Sequence, residues 1–278
     1  MDLKSSVAVV TGAGRGIGRA IAQEYASHGA KVALVSRTAS QLNEVVKEIG
    51  KAGGTALAIP TDVTNTDAVK RMADKVEREL GPIDILMNNA GSYQGIGPVY
   101  EAPPDKWLAD ITVNLYGVFL CSNIVLPRML PRKQGYVINI IGGGTAGPLL
   151  YGSSYGSSKA AVMRLTETMA LELKDTGIKV FALSPGLVRT ELVEHQISSP
   201  AGQKWLAKRL SAMFDEGRGV PPTIAAKMAV ALVSGKLDKL AGRAIRADRD
   251  SVEQLVKLAD EIVEKDQRVL RMIAYPSN

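Results

Sequence analysis

Only one cysteine, Cys121, stands in 278 residues, so no disulfide framework braces this chain and a reducing cytoplasm is its expected location. Cys121 lies in an apolar helical stretch and reads as a small buried hydrophobe. Histidine is nearly as scarce: His28 and His195 are too isolated to build a metal site with one cysteine, so no metal is expected. Aromatic residues make up 5% of the chain, and its basic residues are scattered among acids without a run. The net charge of +6 therefore reads as solubility, with help for an anionic ligand, rather than as a nucleic-acid surface. No apolar run reaches the length of a membrane span and the N-terminus lacks a signal-peptide core, so no membrane partner is expected. What remains, 46% hydrophobic and 22% charged, is an ordinary globular composition with enough chain to bury a large core.

One rhythm is sustained along the chain: a short β-branched run, a turn, then an amphipathic helix. Strands are predicted at residues 6–10, 31–35, 55–59, 83–87, 136–140, 179–183 and 243–247, and helices at 16–28, 39–50, 66–80, 106–130, 154–174 and 222–233. Such alternation implies an α/β fold, a doubly wound parallel sheet of Rossmann type covered by helices on both faces. Ligands then bind at the carboxyl ends of the strands. No repeat, low-complexity segment or linker divides residues 1–247, which read as one domain.

The run Thr11-Gly12-Ala13-Gly14-Arg15-Gly16-Ile17-Gly18 follows the first strand and opens the first helix, where this fold binds a dinucleotide pyrophosphate. Its spacing, Gly12-x-x-x-Gly16-x-Gly18, departs from the commoner G-x-G-x-x-G. The second strand ends in Val35-Ser36-Arg37, and no acid occupies positions 35 to 38. A carboxylate there would bind the ribose diol; an arginine, with Arg15 nearby, suits a 2′-phosphate, so NADP(H) is favoured over NAD(H). The alternative for Arg37 is a solvated residue at a helix start.

Tyr155 and Lys159 are four residues apart, which on a helix puts them on one face a turn apart. An ammonium beside a phenol favours the phenolate, so the Tyr155 pKa is expected to fall toward working pH and ready it for proton transfer to or from an alcohol oxygen.

With the glycine loop, the motifs Asp62-Val63, Asn88-Asn89-Ala90-Gly91, Val113-Asn114-Leu115-Tyr116-Gly117, Tyr155-x-x-x-Lys159 and Ser184-Pro185-Gly186-Leu187-Val188-Arg189-Thr190 occur in an order and spacing that resembles the short-chain dehydrogenase/reductase superfamily, over roughly residues 3–247. The resemblance implies hydride transfer between nicotinamide and a carbonyl or secondary alcohol, in a homotetramer or homodimer. It implies that Gly12, Arg15, Gly16, Ile17 and Gly18 face the pyrophosphate and that Asp62 and Val63 hold the adenine. Asn89, Ala90 and Gly91 would pack beside the nicotinamide ribose, which Lys159 also binds. Asn114 would anchor a proton-relay water, and Val188 and Thr190, beside Pro185 and Gly186, would hold the carboxamide. For Asn114 a buried helix amide bonded to backbone is the alternative.

One residue of that pattern is missing. Thirteen positions before the tyrosine, where the resembled enzymes carry a serine, this chain has Gly142. Thr145, Ser153 or Ser154 is expected to supply a substitute hydroxyl, or else the glycine admits a bulky substrate, or catalysis is weak. An alternative function follows: a cofactor-binding protein of the same fold with little or no turnover, acting as a sensor or assembly partner. Residues 187–220, apolar through Leu192, Val193, Trp205, Leu206, Met213 and Phe214, read as a substrate lid. Residues 248–278 read as a helical extension, capped by Ser251 with Gln254 and carrying an apolar stripe of Leu255, Leu258, Ile262 and Val263.

Overall fold

The computed structural model of the chain describes residues 2–272. Its first half runs β1 (Val7–Thr11), α1 (Gly16–Ser27), β2 (Lys31–Ser36), α2 (Ala39–Lys51), β3 (Thr55–Pro60), α3 (Thr66–Glu79), β4 (Ile85–Asn88), α4 (Pro104–Ile111) and α5 (Gly117–Met129). Next come β5 (Gly135–Ile140), α6 (Ser153–Glu172) and β6 (Ile178–Ser184), followed by the short helices α7 (Glu191–Ser198), α8 (Pro200–Trp205) and α9 (Ala207–Asp215). The chain closes with α10 (Pro222–Val233), β7 (Ala244–Arg246), α11 (Val252–Lys257) and α12 (Ala259–Glu264).

The strands form one seven-stranded parallel sheet in the order β3-β2-β1-β4-β5-β6-β7. Successive strand residues point to opposite faces, and the sequence serves both faces with apolar side chains. Ala8, Val10, Val32 and Leu34 join one core with Ile21 and Tyr25 of α1, Leu42 of α2 and Ala229 of α10. Val7, Val9, Ala33 and Val35 join the other with Val69 of α3, Leu120 of α5 and Met169 of α6. The chain leaves β1 toward β3, then returns to place β4 on β1's other side, so the carboxyl ends of β1 and β4 flank the switch point where such sheets bind ligands.

Two expectations need correction. The predicted helix at 106–130 is longer and is not uniform: a π-helical turn, Thr112–Tyr116, joins α4 to α5. The whole run, Pro104–Arg132, is long and apolar enough to cross a membrane by length and composition, with half of its most apolar window buried in the protein. Polar residues that face the interior, Asp110 and Asn114 at 0% exposure, interrupt the apolar run in the sequence and hid this from a scan for continuous hydrophobes. The C-terminal extension is two short helices broken at Leu258 rather than one. Ser251 caps α11 through its hydroxyl, which accepts from Gln254 N at 3.2 Å. Leu255 and Ile262 enter the α1-side core, whereas Leu258 and Val263 of the expected stripe are exposed.

Candidate active site

A cleft of about 720 Å³ opens along the carboxyl ends of the strands. At its centre the β1–α1 turn approaches β4 so closely that side chains are excluded. A Cβ on Gly12, whose φ is +66°, would stand 2.8 Å from Asn89 Nδ2 and 3.0 Å from Ala90 Cα. Thr11 fastens the approach: its Oγ1 accepts from Asn89 N (2.9 Å) and Ala90 N (3.0 Å). Gly16 is also left-handed, at φ +54°, and faces the Thr190 methyl across the cleft. Gly18 is buried against Asn89 and the Gly12 carbonyl, so it permits close packing of α1 and does not line the cleft. Helix α1 begins with no side-chain cap and no acid in its first turn, which leaves its amides and dipole to an anion.

One end of the cleft is bounded by Ser36, Arg37, Thr61, Asp62 and Val63. Arg37 is exposed, and the Ser36 hydroxyl beside it is buried with no partner among the described residues. Asp62 turns back on its own loop, accepting from Thr64 N (2.9 Å) and Thr64 Oγ1 (2.7 Å). The Thr64 amide bond, with smaller help from the Thr64 hydroxyl and the charge of Arg37, holds its carboxyl below the usual range against a modest burial penalty. Arg15, at the start of α1, forms an ion pair with Glu191 across the mouth.

Tyr155 and Lys159 of α6 line the opposite end, with the Lys159 Nζ 5.5 Å from the Tyr155 ring centroid. The expected drop in the Tyr155 pKa is overturned. Burial, with a contribution from the Asp110 carboxylate, pushes the phenol up to about 12. Burial also pulls Lys159 down to about 8 and so weakens its influence; its ammonium donates to Ile140 O at 2.8 Å. Spacing along a helix shows adjacency but not desolvation, and here desolvation dominates.

Asn114, fully buried in the π-turn, accepts from Ser92 N (2.8 Å) and donates to Ser92 O (2.8 Å) and Ser158 Oγ (3.0 Å). That is the backbone-bonded amide of the alternative reading, and it ties the Ser92 wall to α6. Asp110, a turn earlier on the same face, was not foreseen. Its buried carboxylate accepts from Ser92 Oγ (2.7 Å), Gln94 N (2.8 Å), Gly95 N (2.8 Å) and Ser154 Oγ (2.6 Å). The available signal was an acid four residues before Asn114, past the first turn of its helix.

Gly142 adjoins the tyrosine as the residue count implies: a Cβ there would lie 2.6 Å from Tyr155 Oη. Of the candidate substitute hydroxyls, Thr145 and Ser154 donate elsewhere, and Ser153 acts as an acceptor. Thr145 Oγ1 donates to Gly142 O (2.8 Å), Ser153 Oγ accepts from Trp107 Nε1 (3.1 Å), and Ser154 serves Asp110. Residues 92–99 and 143–152 are expected from the sequence as the pocket wall opposite the lid, and Tyr93 lines the cleft accordingly; its stacking on Tyr155, with centroids 4.7 Å apart and planes inclined by 12°, was not expected. Its only trace in the sequence is an aromatic two residues past Gly91.

Of the motif after β6, Pro185 and Thr190 line the cleft; Val188 is buried, and Gly186 turns at φ +83° against Val220 and Asp248. Asn89, Ala90 and Gly91 line it beside the tyrosine. The segment 187–220 returns on itself, with Val220 N donating to Leu187 O at 2.9 Å. Its Leu192, Trp205, Leu206 and Leu210 pack on Tyr93, Ile96, Leu149 and Tyr151. Cys121 is buried, and burial pushes its thiol up to about 12.

Comparison with known proteins agrees with this architecture. The family model described as short chain dehydrogenase matches residues 6–200. A short chain dehydrogenase of Pseudocercospora fijiensis (strain CIRAD86) is 36% identical over 254 residues, covering 90% of this chain and 82% of that protein. The crystal structure of an actinorhodin polyketide ketoreductase variant with NADPH superposes with a TM-score of 0.79 at 31% identity, covering 88% of this chain and 96% of that one. A metagenomic short-chain oxidoreductase in complex with NADP superposes with a TM-score of 0.69 at 32% identity, covering 84% and 92%.

Proposed function

This chain belongs to the short-chain dehydrogenase family, and from that premise we propose that it is an NADP(H)-dependent oxidoreductase that interconverts a carbonyl and a secondary alcohol, with Tyr155 as proton donor or acceptor. The observation that carries the reading is the pairing, in one cleft, of a half-buried Tyr155 and a buried Lys159 with a glycine cradle and an arginine end. The cleft fits a dinucleotide. Side chains are excluded where Gly12 approaches Asn89 and Ala90, the start of α1 is uncapped, and the buried Ser36 hydroxyl has no partner among the described residues beside Arg37.

A bound nicotinamide cofactor supplies or takes up the hydride. Gly12, Arg15, Gly16 and Ile17 would cradle its pyrophosphate, with Gly18 allowing the close packing behind them and Arg15 exchanging Glu191 for phosphate. Arg37 would meet the 2′-phosphate with charge-assisted hydrogen bonds, which is the ground for NADP(H) over NAD(H). Asp62 and Val63 would hold the adenine, and Asn89, Ala90, Gly91 and Lys159 the nicotinamide ribose. Pro185, Gly186, Val188 and Thr190 would border the carboxamide. The cofactor bound to the actinorhodin ketoreductase and to the metagenomic oxidoreductase supports this choice.

With its pKa near 12, Tyr155 rests protonated at neutral pH, the form that donates to a carbonyl oxygen, so the resting site is set for reduction. Lys159 holds a positive charge beside the phenol, where negative charge develops as the proton leaves. Asn114 is the remaining catalytic candidate, acting through its tie to Ser92 and Ser158. Gly142, Thr145 and Ser153 border the place of the substrate, and the apolar lid favours a largely apolar one. Leu108, Tyr116 and Phe119 are exposed on the Pro104–Arg132 helix, which supports assembly as a homotetramer or homodimer.

A screen of carbonyls and alcohols for a change in NADPH absorbance tests the reading. Tyr155→Phe should abolish turnover on any hit while NADPH affinity stays nearly intact, and Lys159→Ala should damage both. A Tyr155→Phe variant with near wild-type kcat refutes the assignment. The engagement of the Thr145 and Ser154 hydroxyls elsewhere favours a second reading, a cofactor-binding protein with weak or no turnover. NADPH binding without turnover across the screen would select it.

A further inference from the structure

Two glycines beside the candidate tyrosine have no backbone reason to be glycine. Gly142 is not among the glycines with positive φ, and Gly152 sits at φ −135° and ψ 43°, which other residues adopt. Each instead makes room for a phenol. A Cβ at 142 would stand 2.6 Å from Tyr155 Oη and 3.3 Å from Cε1, and one at 152 would collide with Tyr93 Oη. The two rings in question are the stacked pair, 4.7 Å apart and inclined by 12°. Tyr93 is 4% exposed, and its hydroxyl is buried with no partner among the described residues. A hydroxyl left unpaired in the interior is destabilising, so the ring, not the hydroxyl, accounts for its place here.

We propose that Tyr93 is the positioning residue of this site: seated under Tyr155 by the space at Gly142 and Gly152, its ring fixes the Tyr155 phenol by face-to-face contact where position 142 carries no side chain. The inference rests on Tyr155 being the proton donor of the proposed reaction. It accounts for both glycines at once. The Tyr155 hydroxyl has taken the volume of a side chain at 142, and stacking supplies the orientation that a hydrogen bond from that side chain would give. Offset aromatic contacts of this kind are weak enough that losing one should lower kcat by roughly three- to tenfold. A serine at 142 would not simply restore a donor. Its Cβ would first displace Tyr155 from Tyr93.

The test uses the cofactor-free protein labelled with 13C-tyrosine, the Tyr155 ring signals being assigned by their loss in Tyr155→Phe. Tyr155 signals should carry an upfield ring-current shift that survives in Tyr93→Phe and collapses in Tyr93→Leu. Gly142→Ala should move the same signals in the parent but much less when combined with Tyr93→Leu, where the ring is free to retreat. On a carbonyl turned over with NADPH, Tyr93→Leu should lose three- to tenfold in kcat and Tyr93→Phe should recover most of it. Unmoved Tyr155 signals in a folded Tyr93→Leu variant, or in Gly142→Ala, overturn the proposal. Collapse of the shift with kcat unaffected also overturns it. If Tyr93→Leu does not fold, Gly142→Ala alone decides whether the ring fills that space. Absence of turnover with the ring-current signature intact would count against the enzyme reading instead, so the two failures are distinguishable.

Discussion

Replacing Lys159 by methionine should stabilise the cofactor-free protein while removing its activity. Lys159 is 2% exposed, and its recorded partner is the Ile140 carbonyl rather than a carboxylate. Burial lowers its pKa from 10.5 to about 8, a difference worth roughly 3 kcal/mol against the folded state when the lysine is charged. Methionine fills a similar volume without the charge, but it forfeits the charge-assisted bond to Ile140, worth about 1.5–3 kcal/mol. The net gain at neutral pH is then at most about 1.5 kcal/mol, or up to about 3 °C in Tm for a chain of this size. The sign with pH follows from linkage. The folded state binds this proton less tightly than the unfolded chain, so the penalty is full below about 8 and disappears as pH rises toward 10.5. Thermal melts by circular dichroism at about pH 7 and about pH 10 should therefore show the advantage of Lys159→Met shrinking between the two. A variant that melts below wild type at neutral pH, or keeps its full advantage at high pH, would refute a desolvated and uncompensated ammonium.

Three further outcomes are expected. Arg37→Ala should weaken NADPH by about ten- to a hundredfold and leave NADH little changed, as a lost charge-assisted bond implies; fluorescence titrations that give unchanged selectivity contradict this. Asp110→Asn should lower the melting temperature, because one of the two acceptor oxygens that serve Ser92, Gln94, Gly95 and Ser154 becomes an NH2 facing donors. Because the carboxylate raises the phenol pKa, the same variant should move the rise of alcohol oxidation with pH toward lower pH; an unmoved profile separates Asp110 from Tyr155. Sedimentation should give a species larger than the 29.6 kDa monomer, and Phe119→Glu, at a position 46% exposed, should shift it toward monomer.

The strands and most helices were legible because the inner strands are buried on both faces and read as runs rich in Val, Ile, Ala and Leu closed by a turn. Strand β4 shows the limit: residues 83–87 look uniform, yet the ladder runs Ile85–Asn88, because Asp84 turns its carboxylate to Val7 N at 2.9 Å. The π-turn around Asn114 and the break at Leu258 have no glycine or proline to mark them. In the site, residues whose spacing is their function, such as the glycine turn and the Tyr155–Lys159 pair, could be named from sequence. Residues that matter through partners distant in the chain could not. Asp110 meets Ser154 across 44 positions, and Tyr93 meets Tyr155 only because two glycines clear the way. The direction of the Tyr155 pKa failed for the same reason, since burial is a property of the assembled fold.

The excursion between Leu187 and Gly219 leaves and rejoins the body of the protein at one point, where the two residues form a β-bridge. A segment that closes at such a neck and lies on the cleft wall through a few apolar side chains behaves as a replaceable wall. Its closure entropy depends only weakly on its length, so residues can be added or deleted at small cost in the parts of α7–α9 that do not pack on Tyr93, Ile96, Leu149 and Tyr151. The sheet lies outside it, and the glycine turn meets it only near its start, at Thr190 and Glu191. Grafting the corresponding stretch of a relative between positions 192 and 219 should thus transplant the shape of the substrate wall while the rest of the molecule folds as before.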